Sequence, residues 1–154
     1  MREITFKGKK LRNGEWVEGS LLVYGGPADN KKTYIVANEE EEESPSEMLS
    51  KLYWAVIEHR FEVDPETVSQ FTGVKDKNKI PVYEGDIVKA IMGTTGFLGP
   101  IEIIAKVDFR GGSFGLVWNR GAVEEFAAFT GICNMTYEVV GNVHDTPQLF
   151  EREV

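Results

Sequence analysis

Residues 86–143 carry five short runs rich in β-branched and aromatic side chains, at 86–92, 101–109, 113–118, 122–129 and 136–143. Runs of this length, separated by turn-forming residues at short intervals, predict an antiparallel all-β unit. Gly111-Gly112 predicts a tight turn between the second and third runs, and Asn119-Arg120-Gly121 predicts one between the third and fourth. So many short strands in so short a span must protect their edges. The expected solution is a five-stranded, SH3-like small barrel that closes on itself. Gly141, inside YEVVGNVH, is expected as a β-bulge that bends the last strand. The tail TPQLFEREV is expected as one terminal turn docked by Leu149 and Phe150.

The N-terminal part reads as a second β lobe. Residues 3–12 and 15–24 bracket Asn13-Gly14, a dipeptide suited to a type I′ hairpin turn, whose two central residues both need positive φ. GGPADNKK then supplies turn residues, and TYIVA at 33–37 a third strand, giving a meander. Glu39 to Glu43 repel one another and are expected as a solvated loop. Ser44-Pro45-Ser46-Glu47 has the form of a capping box, with Pro45 at the first helical position. Met48, Leu49, Leu52, Tyr53, Val56 and Ile57 come next at helical spacing, predicting one short helix that packs on the sheet. The pattern turns extended near Trp54, with a strand expected over 57–63 until Asp64-Pro65 stops it. Three segments result: residues 1–70 as the N-terminal lobe, 71–85 as a turn-rich joint, and 86–150 as the barrel.

Composition narrows the function. A 42% hydrophobic and 27% charged chain of 154 residues is an ordinary globular protein, large enough for a conventional core. The single cysteine, Cys133, permits no intrachain disulfide, and MREITFKGKK lacks the apolar stretch of a secretory signal. No apolar run is long enough to span a bilayer. A cytoplasmic location and no membrane partner are therefore expected. The net charge of −8 opposes non-specific nucleic-acid binding. Residues 1–32 run against that trend, with seven Lys or Arg against four Asp or Glu, a local charge of +3. Lys7, Lys9, Lys10 and Arg12 in this region read as a solvated strand face.

Chemical motifs are sparse. Asp76 and Asn78 match the first and third positions of an EF-hand loop, but Ile80, Pro81 and Ile87 stand where a ligand, a glycine and a bidentate glutamate are needed. Asp76-Lys77-Asn78-Lys79 reads as a turn, and Glu84-Gly85-Asp86 as another. GTTGFLGP at 93–100 matches neither a phosphate loop nor a dinucleotide fingerprint. Arg110-Gly111-Gly112 is a hairpin tip and a single copy of an RGG element. Cys133 with His59 or His144 lacks the spacing of a metal site or a catalytic pair. Glu124 and Glu125 are adjacent and so point to opposite faces of a strand, while Asp64 and Glu66 read as turn caps. No catalytic, metal-binding or cofactor-binding residue is assigned, and no enzyme activity is expected. Most aromatic residues are expected in the core. Phe109, Arg110, Phe114, Trp118 and Arg120 cluster around two neighbouring hairpins and form the candidate interaction patch.

Three stretches carry a resemblance. MREITFKGKK followed by NGEWVEGSLL, then VDPETVSQFTGVKDKNKIPVYEGDIVK, and finally YEVVGNVHDTPQLF resemble the YopX-like proteins of bacteriophages and prophages. The similarity covers essentially the whole chain, and the run from Gln70 to Lys89 is its most specific part. It implies a mainly β fold with an SH3-like C-terminal part, and it implies no activity, since the family offers no catalytic residues to carry over. One position departs. Where the family has glycine after Lys77-Asn78, this chain has Lys79, and a left-handed backbone there would cost a non-glycine residue about 1–2 kcal/mol.

The expected function is accordingly that of a phage or prophage accessory protein, a non-enzymatic scaffold that binds an unidentified protein partner and self-associates. The alternative is a small-barrel nucleic-acid-binding protein.

Overall fold

The computed structural model describes residues 3–27, 30–37, 56–93, 99–131 and 135–151. The acidic run 39–43, the capping box 44–47, the apolar stripe 48–53, Trp54, residues 94–98 of the glycine-rich loop and Cys133 lie outside the described residues. The chain divides into two units, Met1–Gln70 and Phe71–Val154. As expected, the fold is mainly β.

The first unit is an antiparallel meander of β1 (Phe6–Lys9), β2 (Trp16–Tyr24), β3 (Lys32–Ala37) and β4 (Arg60–Glu62), in the order β4-β3-β2-β1. The β1–β2 hairpin forms with Lys9 opposite Trp16. Its connection is not the expected two-residue type I′ turn. Lys10 N–H donates to the Glu15 carbonyl at 2.9 Å and Gly14 N–H to the Lys10 carbonyl at 2.8 Å, closing a longer loop. Gly14 has φ 72°, but Asn13 does not have a positive φ. The Asn13 amide oxygen instead accepts from Glu15 N–H at 3.1 Å, a local bond that holds the longer loop.

The strand expected over 57–63 is shorter. Residues 56–58 are helical and only Arg60–Glu62 form β4. Just past β4 the chain curls back over the meander: Val63 bridges Lys10, Leu11 N–H donates to the Glu62 carbonyl at 3.0 Å, and Asp64 N–H donates to the Lys9 carbonyl at 2.9 Å. Val17, Ile35 and Val63 form the buried core, with Phe6, Leu21 and Phe61 packed around them. Asp64 caps the 3-10 turn Pro65–Thr67 by accepting from Glu66 N–H, which is the capping role expected of it.

The second unit holds β7 (Asp86–Met92), β8 (Ile101–Arg110), β9 (Ser113–Arg120), β10 (Val123–Ala128) and β11 (Met135–Asn142), close to the five expected runs. Gly111-Gly112 forms the tight turn: Arg110 faces Ser113, and both glycines have positive φ, 57° and 84°. The next turn falls one residue later than expected. Asn119 and Arg120 remain in β9, and Gly121-Ala122 connect it to β10. Gly121 alone is left-handed there, at φ 64°, which fits a turn with glycine at its first central position. The bulge is present, since the β11 register shifts between Val139 and Gly141, and a Cβ on Gly141 would collide with the Thr146 hydroxyl.

The ladder order is β10-β9-β8-β7-β11. It is an open sheet and not the closed barrel that the strand count suggested: β10 and β11 are both edges. The reason lies in the 71–85 segment, which is less turn-rich than its sequence implied. Strand β5 (Ser69–Lys75) and strand β6 (Pro81–Tyr83) pair there, and the turn between them occupies the outer edge of β11. The core beneath contains Val82, Val88, Ala90, Ala105, Val107, Leu116 and Trp118. The terminal turn Gln148–Glu151 is also present, with Leu149 beside Gly141 and the Phe150 ring 5.8 Å from Lys106 Nζ. Among the described residues, no helix is long and apolar enough to cross a membrane.

Candidate interaction surfaces

The 71–86 segment contains a group of buried polar side chains, Thr72, Asp76 and Asp86, and its hydrogen bonds show what they do. Thr72 Oγ1 donates to the Val82 carbonyl at 2.7 Å and accepts from Val74 N–H, joining β5 to β6. Asp76 is 5% exposed. Its Oδ1 accepts from Asn78 N–H at 2.8 Å and Ile80 N–H at 2.9 Å, and its Oδ2 accepts from Val139 N–H at 3.0 Å. Lys77 N–H donates to the Tyr137 carbonyl at 3.0 Å, and the side chains of Lys77 and Asn78 both reach Glu138. The turn thus supplies, along the outer edge of β11, the partners that a neighbouring strand would otherwise provide.

Burial alone would raise the Asp76 carboxyl, but the N–H donors of Val139, Ile80 and Asn78, helped by Lys77, outweigh it and hold the group below its ordinary value of 3.8. Lys79 completes the turn with φ 65° and donates its N–H to the Asp76 carbonyl. The non-glycine residue therefore does adopt the left-handed backbone. Asp86 is buried as well, and its Oδ2 accepts from Tyr83 N–H at 2.8 Å. Between them, Gly85 N–H donates to the Val107 carbonyl and the Gly85 carbonyl accepts from Val143 N–H. Glu84 is half-buried, and its carboxyl is raised by that burial and by the nearby Asp108.

The five residues of the candidate patch are divided. Phe109 is 50% exposed, while Phe114 and Trp118 are each 9% exposed, Trp118 within the core. The Phe109 and Phe114 rings meet edge to face at 4.9 Å. Arg110, next to Phe109 on β8, projects to the opposite face and pairs with Asp108 at 3.1 Å and Glu124 at 2.7 Å. These two carboxylates raise its guanidinium further. Arg120 reaches Glu125 at 3.8 Å. Adjacent Glu124 and Glu125 thus serve different arginines.

His59 and His144 hold main-chain positions in different units: the His59 carbonyl accepts from Ala37 N–H, and His144 N–H donates to Asn142 Oδ1. Among the described residues, no group of three His, Cys, Asp or Glu side chains is arranged to hold a metal.

An opening in the first unit was not foreshadowed by any motif. Lys10, Leu11, Arg12 and Asn13 from the β1–β2 loop and Arg60, Phe61 and Glu62 from β4 line a cavity of about 700 Å³. Lys10 Nζ lies 4.4 Å from the centre of the Phe61 ring and 3.5 Å from Glu15. Arg60 stacks toward Tyr34 at 5.4 Å, and Glu62 pairs with Lys32 at 3.3 Å. Lys7 and Lys9 flank Trp16 at 5.1 and 5.4 Å. The basic N-terminal residues were a visible signal, but Arg60 joins Arg12 through the Lys10–Val63 bridge and the Leu11–Glu62 and Asp64–Lys9 hydrogen bonds, which no local pattern announces.

A sequence model described as YopX protein matches residues 5–151. No curated protein matches. Among solved structures, the crystal structure of protein EF1440 from Enterococcus faecalis is similar, with a TM-score of 0.53 at 18% identity, covering 97% of this chain and 99% of the other. At that identity the likeness is one of fold.

Proposed function

This chain belongs to the YopX protein family, and from that premise we propose that it is a non-enzymatic protein-interaction scaffold acting in the cytoplasm of a bacterial host as a phage or prophage accessory protein. The observation that carries the reading is the commitment of the segment most specific to the family. Asp76 and Asp86, its two buried carboxylates, accept main-chain N–H bonds that fasten β5, β6 and the β11 edge. Carboxylates engaged in this way hold a shape. The remaining exposed chemistry, acidic overall with scattered apolar side chains, suits contact with another chain better than bond-making.

The test is capture with the tagged full chain from bacterial lysate before and after phage infection, together with light scattering of the purified protein. A stoichiometric partner or a defined oligomer is expected. Repeated capture of nothing, from a protein that scatters as a monomer, would remove the proposal. The nucleic-acid alternative draws no support from a patch whose Phe114 and Trp118 are buried and whose Arg110 and Arg120 face carboxylates.

A further inference from the structure

We propose that the cavity between the β1–β2 loop and β4 binds an acidic peptide segment in extended conformation, which adds to the outer edge of β4. The proposal rests on the protein-interaction reading and names the class of partner.

Three observations converge. β4 is an edge strand. Its odd residues face β3, as shown by the His59 carbonyl accepting from Ala37 N–H and by Val63 N–H donating to the Thr33 carbonyl. Arg60 and Glu62 therefore aim their main-chain groups the other way. Leu11 N–H takes the Glu62 carbonyl at 3.0 Å, and the short stretch beyond it, at Arg60, runs beside the cavity with no strand of the described residues paired to it. An extended peptide supplies such partners through its own main chain.

Charge selects the peptide. The Arg110 and Arg120 guanidiniums face carboxylates, whereas Arg12 and Arg60, both exposed and both lining the cavity, have no carboxylate partner among the described residues. Glu62, the one acid in the lining among the described residues, already pairs with Lys32. The cavity is thus cationic on a chain of net charge −8. Guanidiniums bind carboxylates through paired N–H donors, so acidic side chains are the matching ligands. The floor adds a second requirement: Phe61 is half-buried and Leu11 is 61% exposed, an apolar surface for the alternate side chains of the same strand. An acidic–apolar alternation fits both, and the open main-chain groups favour a peptide over a phosphate backbone.

The experiment is fluorescence anisotropy of the full chain with a labelled hexapeptide, Glu-Val-Glu-Thr-Glu-Val, against its Lys-Val-Lys-Thr-Lys-Val counterpart. The acidic peptide should bind saturably, the basic one should not, and the double variant Arg12→Glu with Arg60→Glu should weaken binding at least about tenfold, a loss that added salt reproduces in the wild type. Methylating alternate main-chain nitrogens of the acidic peptide should abolish binding. Both substitutions are on exposed side chains, so an unchanged melting temperature confirms that the variant is folded. The proposal is overturned by the absence of saturable binding, by equal binding to the double variant, by tolerance of main-chain methylation, or by stronger binding of an oligo-dT of similar charge. A captured protein partner that binds wild type and double variant alike would leave the scaffold reading standing and remove this one.

Discussion

Asp76 offers the sharpest test of how the second unit is held. Replacing it with asparagine keeps its shape and removes its charge. The carboxylate accepts three main-chain N–H bonds, two at one oxygen and one at the other. An amide has one oxygen, so in either orientation its NH2 group confronts at least one N–H donor. A hydrogen bond to a charged acceptor contributes about 1.5–3 kcal/mol, and a stranded buried donor costs about 1–3 kcal/mol. Some relaxation toward water is available, because Asn78 and Glu138 are exposed nearby. Asp76→Asn should therefore destabilise by about 2–4 kcal/mol at pH 7, and Asp76→Ala by slightly more. Urea denaturation measures it as a lower midpoint at unchanged slope. The pH dependence has a definite sign. The folded-state carboxyl lies below 3.8, so its stabilisation is fully present above that value and is lost as pH falls through the folded value. The gap between wild type and Asp76→Asn must narrow on going from pH 7 into the acid range. A gap below about 0.5 kcal/mol at pH 7, within the range of ordinary surface substitutions, or one that widens in acid, refutes the clamp.

Lys79→Gly relieves a left-handed backbone at φ 65° and should stabilise by about 0.5–1 kcal/mol, the strain released less the extra freedom of glycine in the unfolded chain; thermal melts read the gain. Leu116→Ala empties a fully buried site and should cost about 2–5 kcal/mol in urea denaturation. Glu84→Gln should raise the denaturation midpoint at pH 7. The folded-state carboxyl of Glu84 is raised above 4.5, so the wild type is relatively favoured below that value and loses ground as pH rises; the benefit of Gln should vanish below about pH 4.

Much of the second unit was legible because its information is local. β-Branched runs mark strands, and Gly111-Gly112 allows only a narrow set of turns, which is why β7, β8, β9 and β11 fall close to expectation. The misreadings involve pairings that no run of letters announces. Whether Asn13 or only Gly14 turns left-handed depends on the Lys10–Glu15 closure, and whether five strands close depends on what reaches the outer edge of β11. The KDKN letters announced a turn and gave no hint that Asp76 would meet Val139. The candidate patch failed to assemble for a related reason. Phe109 and Arg110 are neighbours in sequence but project from opposite faces of β8, and Trp118 is drawn into the core by Leu116 and Val107. The cationic cavity was half visible, through Arg12, and half hidden, through Arg60.

The pairing of Val36 with Arg60 has a practical corollary for engineering. It is the last rung of a three-pair ladder, Tyr34 with Glu62, Ile35 with Phe61 and Val36 with Arg60, that ties β4 to the meander. A strand of three residues has no rung to spare, so a tag or a foreign domain is best grafted away from positions 34–36 and 60–62.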